Sequence, residues 1–257
     1  MCFLIHNKMR RVTAKNIKNN FPNVLHYYPL QSNSNDSISG LNGTDTGISY
    51  VSGGVIGNCA DFEVLGGTGN KIVIPDDNSI SFVNKDFAFS IWVNYSSILN
   101  DAGFGRCSWI LNKRKVVDTG SFVINDEYNL SIVGSIQRIA FFDTINSGLI
   151  SKISTTTLPS LGVWYNYTIT YKSARKTNGL HFYRNGILIG STSNSGNFSS
   201  MVNGTSPLTL GQTSWMGAST NLRFVGKMCE FYIFDGDLSP EQALFVYNEG
   251  LAGRDLI

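Results

Sequence analysis

Charge is scarce in this sequence: Asp, Glu, Lys and Arg make up 15% of its 257 residues, against roughly 25% in ordinary soluble domains. With 20 Lys+Arg against 18 Asp+Glu, the chain has no general electrostatic footprint for nucleic acid. Long apolar runs are missing too. None approaches the ~18–20 residues that span a bilayer, so no membrane insertion is expected. The first eleven residues place a short apolar stretch, Phe3-Leu4-Ile5, before the charges Lys8, Arg10 and Arg11. This reverses the order of a signal peptide, and no secretion signal is read. Only three histidines occur, His6, His26 and His181, in no metal-binding spacing. The four cysteines, Cys2, Cys59, Cys107 and Cys229, contain no Cys-x-x-Cys pair, which argues against a zinc site. Free, mostly buried thiols of a reducing compartment are expected. The alternative is one disulfide between two of Cys59, Cys107 and Cys229.

With so little charge, the polar surface must be built from Asn, Ser, Thr and Gly, which suits short strands joined by turns. Seven Asn-x-Ser/Thr sequons, among them Asn42, Asn129 and Asn203, follow by chance from that composition. Residues 1–22 stand apart as a basic arm carrying Lys8, Arg10, Arg11, Lys15 and Lys18. Strand signals follow at 24–30, 59–62 and 71–74, the last ended by Pro75, and the Ser/Asn/Gly-rich stretch 31–47 reads as loop. In 87–93, Phe87, Phe89, Ile91 and Val93 share one face. In 164–171, Tyr165, Tyr167, Ile169 and Tyr171 do the same. Further strands are expected at 108–111, 121–124, 129–133, 136–142, 208–211 and 227–234. The run 180–189 carries Asn185-Gly186 at its centre, the preferred pair of a type I′ hairpin. One helix is expected over 240–249. Ser239 is its N-cap, Pro240 its first residue and Gln242 its capping-box partner, with Leu244 and Tyr247 on one face and Gly250 as the stop.

Many closely spaced strands and one terminal helix predict a single all-β domain over 23–257, a sandwich or jelly roll. The quoted segments resemble a laminin G-like domain of the concanavalin A-like lectin/glucanase superfamily. Tyr28-Pro29-Leu30, Asn35-Asp36-Ser37, Leu41-Asn42-Gly43-Thr44 and Phe89-Ser90-Ile91-Trp92-Val93 carry the likeness early. Trp164 to Tyr171, Phe182-Tyr183-Arg184-Asn185-Gly186, Pro207 to Gly211, and Phe224 to Phe234 leading into Leu238-Ser239-Pro240 carry it later. The resemblance implies a two-sheet antiparallel jelly-roll sandwich, its sheets packed face to face, with binding at loop rims or on the concave face.

The glucanases of that superfamily carry Glu-x-Asp-x-Glu on one strand, which projects paired carboxylates to one side. This sequence has no such run: Glu63, Glu127, Glu230, Glu241 and Glu249 are isolated. Neither a Gly-x-Ser-x-Gly elbow nor a complete phosphate loop is present, and no catalytic residue is expected. Asp235-Gly236-Asp237 opens like an EF-hand, but Pro240 stands where its glycine is required. The resemblance does imply one calcium, with Asp36, Asn42 and Glu230 at the matching positions. For a glycan, Trp215 is the expected stacking platform, with Lys113 and Arg114 near a rim, while Trp92, Trp109 and Trp164 fall in strands and read as core. The expectation is a non-enzymatic structural or interaction protein that assembles with capsid or fibre subunits as a virion component, or in a cytoplasmic assembly, of a large DNA virus or phage. The alternative is a calcium-dependent, lectin-like glycan-binding module.

Overall fold

The computed structural model describes residues 21–63, 69–98, 107–118, 122–143, 148–154, 157–212 and 223–257. Among the described residues sixteen strands form two antiparallel sheets of eight. In chain order they are β1 Asn23–Tyr28, β2 Thr44–Thr46, β3 Ser49–Ser52, β4 Asn58–Asp61, β5 Lys71–Ile74, β6 Phe87–Ser97, β7 Cys107–Asp118 and β8 Phe122–Val133. They continue as β9 Ile136–Asp143, β10 Gly148–Ser154, β11 Trp164–Tyr171, β12 Leu180–Arg184, β13 Ile187–Ile189, β14 Ser191–Ser195, β15 Leu208–Leu210 and β16 Val225–Asp235. Among the described residues one α-helix, α1, spans Pro240–Leu251. The first sheet runs β13-β12-β11-β6-β16-β4-β3, with β1 added to β16; the second runs β14-β10-β9-β8-β7-β15-β5-β2. The chain is therefore an all-β sandwich with one C-terminal helix, as its alternation predicts.

Alternation builds the core. Phe87, Phe89, Ile91 and Val93 of β6 and Tyr167, Ile169 and Tyr171 of β11 face Leu111, Tyr128, Leu130, Ile139 and Phe141 of the second sheet in one buried cluster. Burying each such side chain contributes about 1.5–3 kcal/mol. The opposite face of β6 is covered as well. Ala88 lies under α1 with Tyr27, Tyr232, Phe234 and Val246. Trp92 packs with the free, buried Cys59 and Cys229, and burial pushes the Cys59 thiol up to about 11. Phe21, which the sequence assigns to the basic arm, meets Phe234 edge-on at 5.6 Å and Phe245 in a tilted contact at 5.8 Å. The rest of the arm, residues 1–20, lies outside the described residues.

Several local expectations are revised. The stretches 122–124 and 129–133 belong to one long strand, β8, because β7 pairs with it along its whole length; position 121 lies outside the described residues. Strands β2, β3, β10 and β14 lie where none was expected: β2 falls inside the stretch 31–47 read as loop and pairs with β5, and β10 and β14 pair with each other at the sheet edge. The buried face of α1 is Ala243, Val246 and Gly250 rather than Leu244, which is exposed. Gly250 is needed for close approach: a Cβ there would stand 2.6 Å from the Trp92 indole nitrogen. The stop comes three residues later at Gly253, with φ of 70°. Its N–H bonds to Gly250 O at 2.9 Å while Arg254 N–H bonds to Glu249 O at 3.0 Å, a Schellman ending. The Ser239–Gln242 capping box and the positive φ of Asn185 and Gly186 form as expected.

Candidate functional site

A connected polar cluster gathers where β1, the loop after it and the turn after β5 meet. Strand β1 carries His26, which is 2% exposed. Its Nδ1 lies 2.8 Å from Asp36 Oδ2 and its Nε2 lies 2.8 Å from Ser79 Oγ. Ser79 Oγ in turn donates to Asp77 Oδ1 at 2.6 Å. Asp77 is the N-cap of a 3₁₀ turn over Asn78–Ile80 and also accepts the Ser79 N–H. Four side chains thus form one line, Asp77–Ser79–His26–Asp36.

Asp36 is the fixed end of that line. Its Oδ1 accepts the N–H of Tyr27 and of Ile38, both at 3.0 Å. Its Oδ2 accepts the Ser39 N–H at 3.2 Å, the Leu41 N–H at 3.4 Å and the Ser39 hydroxyl. Burial by itself raises this carboxyl. The bonds from His26, Ser39, Tyr27 and Ile38 outweigh burial and hold it far below the usual carboxylate range. The loop is tied at two more points: Asn42 Oδ1 accepts the Asp36 N–H at 3.0 Å, and the Tyr28 hydroxyl donates to Leu41 O at 2.8 Å. Over this frame opens a cleft of about 400 Å³, lined by Leu25, His26, Ser39, Gly40, Leu41, Asp77 and Ser79.

Ser79, His26 and Asp36 stand in the order of a nucleophile, a base and an orienting acid. The arrangement works against nucleophilic catalysis. The Ser79 hydroxyl hydrogen is committed to Asp77, and the nearest backbone donor, Ser79 N–H, is committed there too. A carboxylate beside the reacting oxygen opposes the negative charge that an acyl-transfer transition state develops. What the cluster offers instead is a rigid wall of acceptors and hydroxyls, with Leu25 and Leu41 as apolar flanks.

The residues expected from sequence fall as follows. Asp36 and Asn42 do meet, but every oxygen they present is taken by a protein donor. Glu230 lies apart, at the far end of Tyr27. The Tyr27 hydroxyl donates to it at 2.7 Å, joined by Tyr232 at 3.1 Å and Gln31 at 3.4 Å. Calcium needs six to eight available oxygens, and this donor-saturated set does not fit it. Among the described residues no group of three or more His, Cys, Asp or Glu could hold a metal ion. Lys113 is not at a rim: its side chain is fully buried, with Nζ 2.6 Å from both Asp76 Oδ1 and Glu127 Oε1. The backbone of Arg114 pairs with Asp126 beside a register shift in β7. Trp215 lies outside the described residues. Trp92 and Trp109 are buried, and Trp164 is half-buried with its indole N–H on Gly53 O at 3.0 Å.

Sequence reasoning missed His26, Asp77 and Ser79. The one available signal was Asp77-Asn78-Ser79 after Pro75, a capped-turn pattern. Nothing local brings Ser79 to a histidine 53 positions away.

A family model of the concanavalin A-like lectin/glucanases superfamily matches residues 66–243. The chain belongs to that superfamily. No curated protein is matched by its sequence. Among solved structures, domain 4 of AbnA, a GH43 extracellular arabinanase from Geobacillus stearothermophilus in complex with arabinotriose, is similar at 18% identity and a TM-score of 0.61, over 88% of this chain and 98% of that one. The binding domain of Paraclostridial Mosquitocidal Protein 1 is similar at 16% identity and a TM-score of 0.64, over 91% of this chain and 53% of that one. The receptor-binding domain of botulinum neurotoxin C/D mosaic serotype is similar at 19% identity and a TM-score of 0.60, over 88% and 51%. The chain thus spans about half the length of either toxin domain and nearly all of the arabinanase domain. At these identities the likeness is one of fold. No helix among the described residues is long and apolar enough to cross a membrane.

Proposed function

We propose that this superfamily member is a non-catalytic carbohydrate-binding module whose sugar site is the cleft between β1, residues 39–41 and the 77–79 turn. The observation that carries the reading is the cleft's lining: an exposed carboxylate, Asp77, and two serine hydroxyls held on a pinned frame, beside the aliphatic flanks Leu25 and Leu41. A sugar presents hydroxyl donors on one side and C–H groups on another, and such a wall meets both. Rigid polar groups bind without the entropy of ordering them first. The arabinanase domain, solved with arabinotriose, and the toxin binding domains support a binding role for the fold.

The test is titration calorimetry against arabino-oligosaccharides and a broader glycan panel. A hydrogen bond to a charged group contributes about 1.5–3 kcal/mol, so Asp77→Ala should weaken a bound glycan by roughly ten- to a hundred-fold. Binding that survives this change unaltered would remove the site from this cleft. The finer expectation, that the module rides on a virion, comes from the sequence analogy. A protein inventory of purified particles tests it.

A further inference from the structure

The binding reading leaves one constellation without a use, the buried lysine and its two carboxylates. Lys113 projects from β7, Glu127 from β8, and Asp76 from the turn after β5. The Lys113 side chain is 0% exposed and that of Glu127 1%, whereas Asp76 keeps 32%. Both carboxylates lie 2.6 Å from the same nitrogen. Oε1 of Glu127 also accepts the Gly204 N–H at 2.9 Å. Its other oxygen, Oε2, is buried and has no partner among the described residues. Burial pushes the Glu127 carboxyl up despite its bonds to Lys113, Gly204 and Ser81.

As a plain ion pair this is an expensive arrangement, because removing each ion from water costs several kcal/mol. Condensation would remove two of those charges, the Lys113 ammonium and the Asp76 carboxylate, since an amide carries none. We propose that Lys113 and Asp76 join through an intramolecular amide, with Glu127 as the acid–base group that moves the protons. The ammonium of Lys113 passes a proton to Glu127, and the freed Nζ lone pair attacks Asp76 Cγ. The Nζ–Cγ bond forms and one Cγ–Oδ bond breaks. The departing oxygen leaves as water with two hydrogens that came from Nζ, delivered through Glu127, which ends in its starting state. Ammonium plus carboxylate becomes amide plus water, and no further reactant is needed.

The geometry assigns the roles. Nζ sits at hydrogen-bond distance from Asp76 Oδ1, so Cγ lies at most one C–O bond farther, and held reactants gain several kcal/mol over free ones. Asp76 has the exposed edge through which water can leave. Glu127 is the enclosed acid–base group, and its Oε1, 2.6 Å from Nζ, is the oxygen placed to take the proton. The bond would tie the turn after β5 to β7. Asp76 directly precedes Asp77, so the link would also stiffen one wall of the cleft.

Mass spectrometry of the purified full chain decides the matter. The expected intact mass is lighter than the sequence by one water. A tryptic digest should contain the peptide bearing Asp76 joined to that bearing Lys113, with cleavage at Lys113 lost. Asp76→Ala and Glu127→Gln should each restore full mass and separate peptides. A wild-type chain at full mass with separate peptides overturns the proposal, as does a link from Lys113 to Glu127. The wild-type measurement stands whether or not a variant folds.

Discussion

Asp36 and Glu230 are both buried carboxylates, and their surroundings drive them in opposite directions. Asp36 is held low by the donors around it, so the unfolded chain binds its proton more readily than the folded one. Its contribution to stability is fully present above the unfolded value of about 3.9 and is lost as the pH falls through the folded value. Asp36→Ala leaves His26 and four amides without their partner, and should cost roughly 3–5 kcal/mol at neutral pH, read by urea denaturation. Glu230 is raised, first by burial, with Tyr27, Tyr232 and Gln31 partly offsetting it. Here the folded state holds the proton longer. Stability therefore declines as the pH rises from about 4.3 to the raised folded value. Glu230→Gln should remove that decline, so the two stability curves should diverge as the pH rises above about 4.3. Parallel curves above that pH would contradict the assignment. Neither environment is legible locally: Glu230 acquires its partners because β16 takes a positive φ of 52° there, at the bulge where its neighbour changes from β4 to β1.

At the level of the element, α1 shows how much a short motif specifies and where it fails. The cap was readable because Ser239, Pro240 and Gln242 interact within three positions. Ser239→Ala should cost about 1 kcal/mol. The stop was misplaced because Gly250 and Gly253 are both glycines near the helix end, and only packing separates their roles. Gly250→Ala pushes a methyl into the Trp92 ring and should cost about 1–3 kcal/mol. Gly253→Ala strains a left-handed residue and should cost about 1–2 kcal/mol. Thermal unfolding of the two variants ranks them. The hairpin at Asn185-Gly186 formed as expected because both residues tolerate positive φ. Strands β10 and β14 were not visible, since Ser191–Ser195 has no apolar alternation and is a strand only by pairing with β10.

For the whole molecule, the donor saturation of Asp36 predicts calcium independence. A cation that binds only the folded state raises the melting temperature, so melting curves in chelator and in millimolar calcium should coincide. A shift of several degrees would show that calcium displaces the amides around Asp36. The sandwich itself was readable because its inward residues repeat every second position over long stretches of β6 and β11. Each repeat reports which face is buried, whatever the partner strand.

The sequence by itself determined the fold class, the faces of the long strands, the hairpin turn and the helix cap, because each depends on residues a few positions apart. It also excluded a glucanase carboxylate pair on one strand. Only the tertiary structure decided the polar chemistry. His26 with Ser79, Lys113 with Asp76 and Glu127, and Glu230 with Tyr27 are contacts across strands, and composition carries no record of which strands become neighbours. Lys113 shows the consequence. Its sequence position just past the expected strand 108–111 suggested an exposed rim. The extension of β7 through 118 and its pairing with β8 and β15 enclosed it instead.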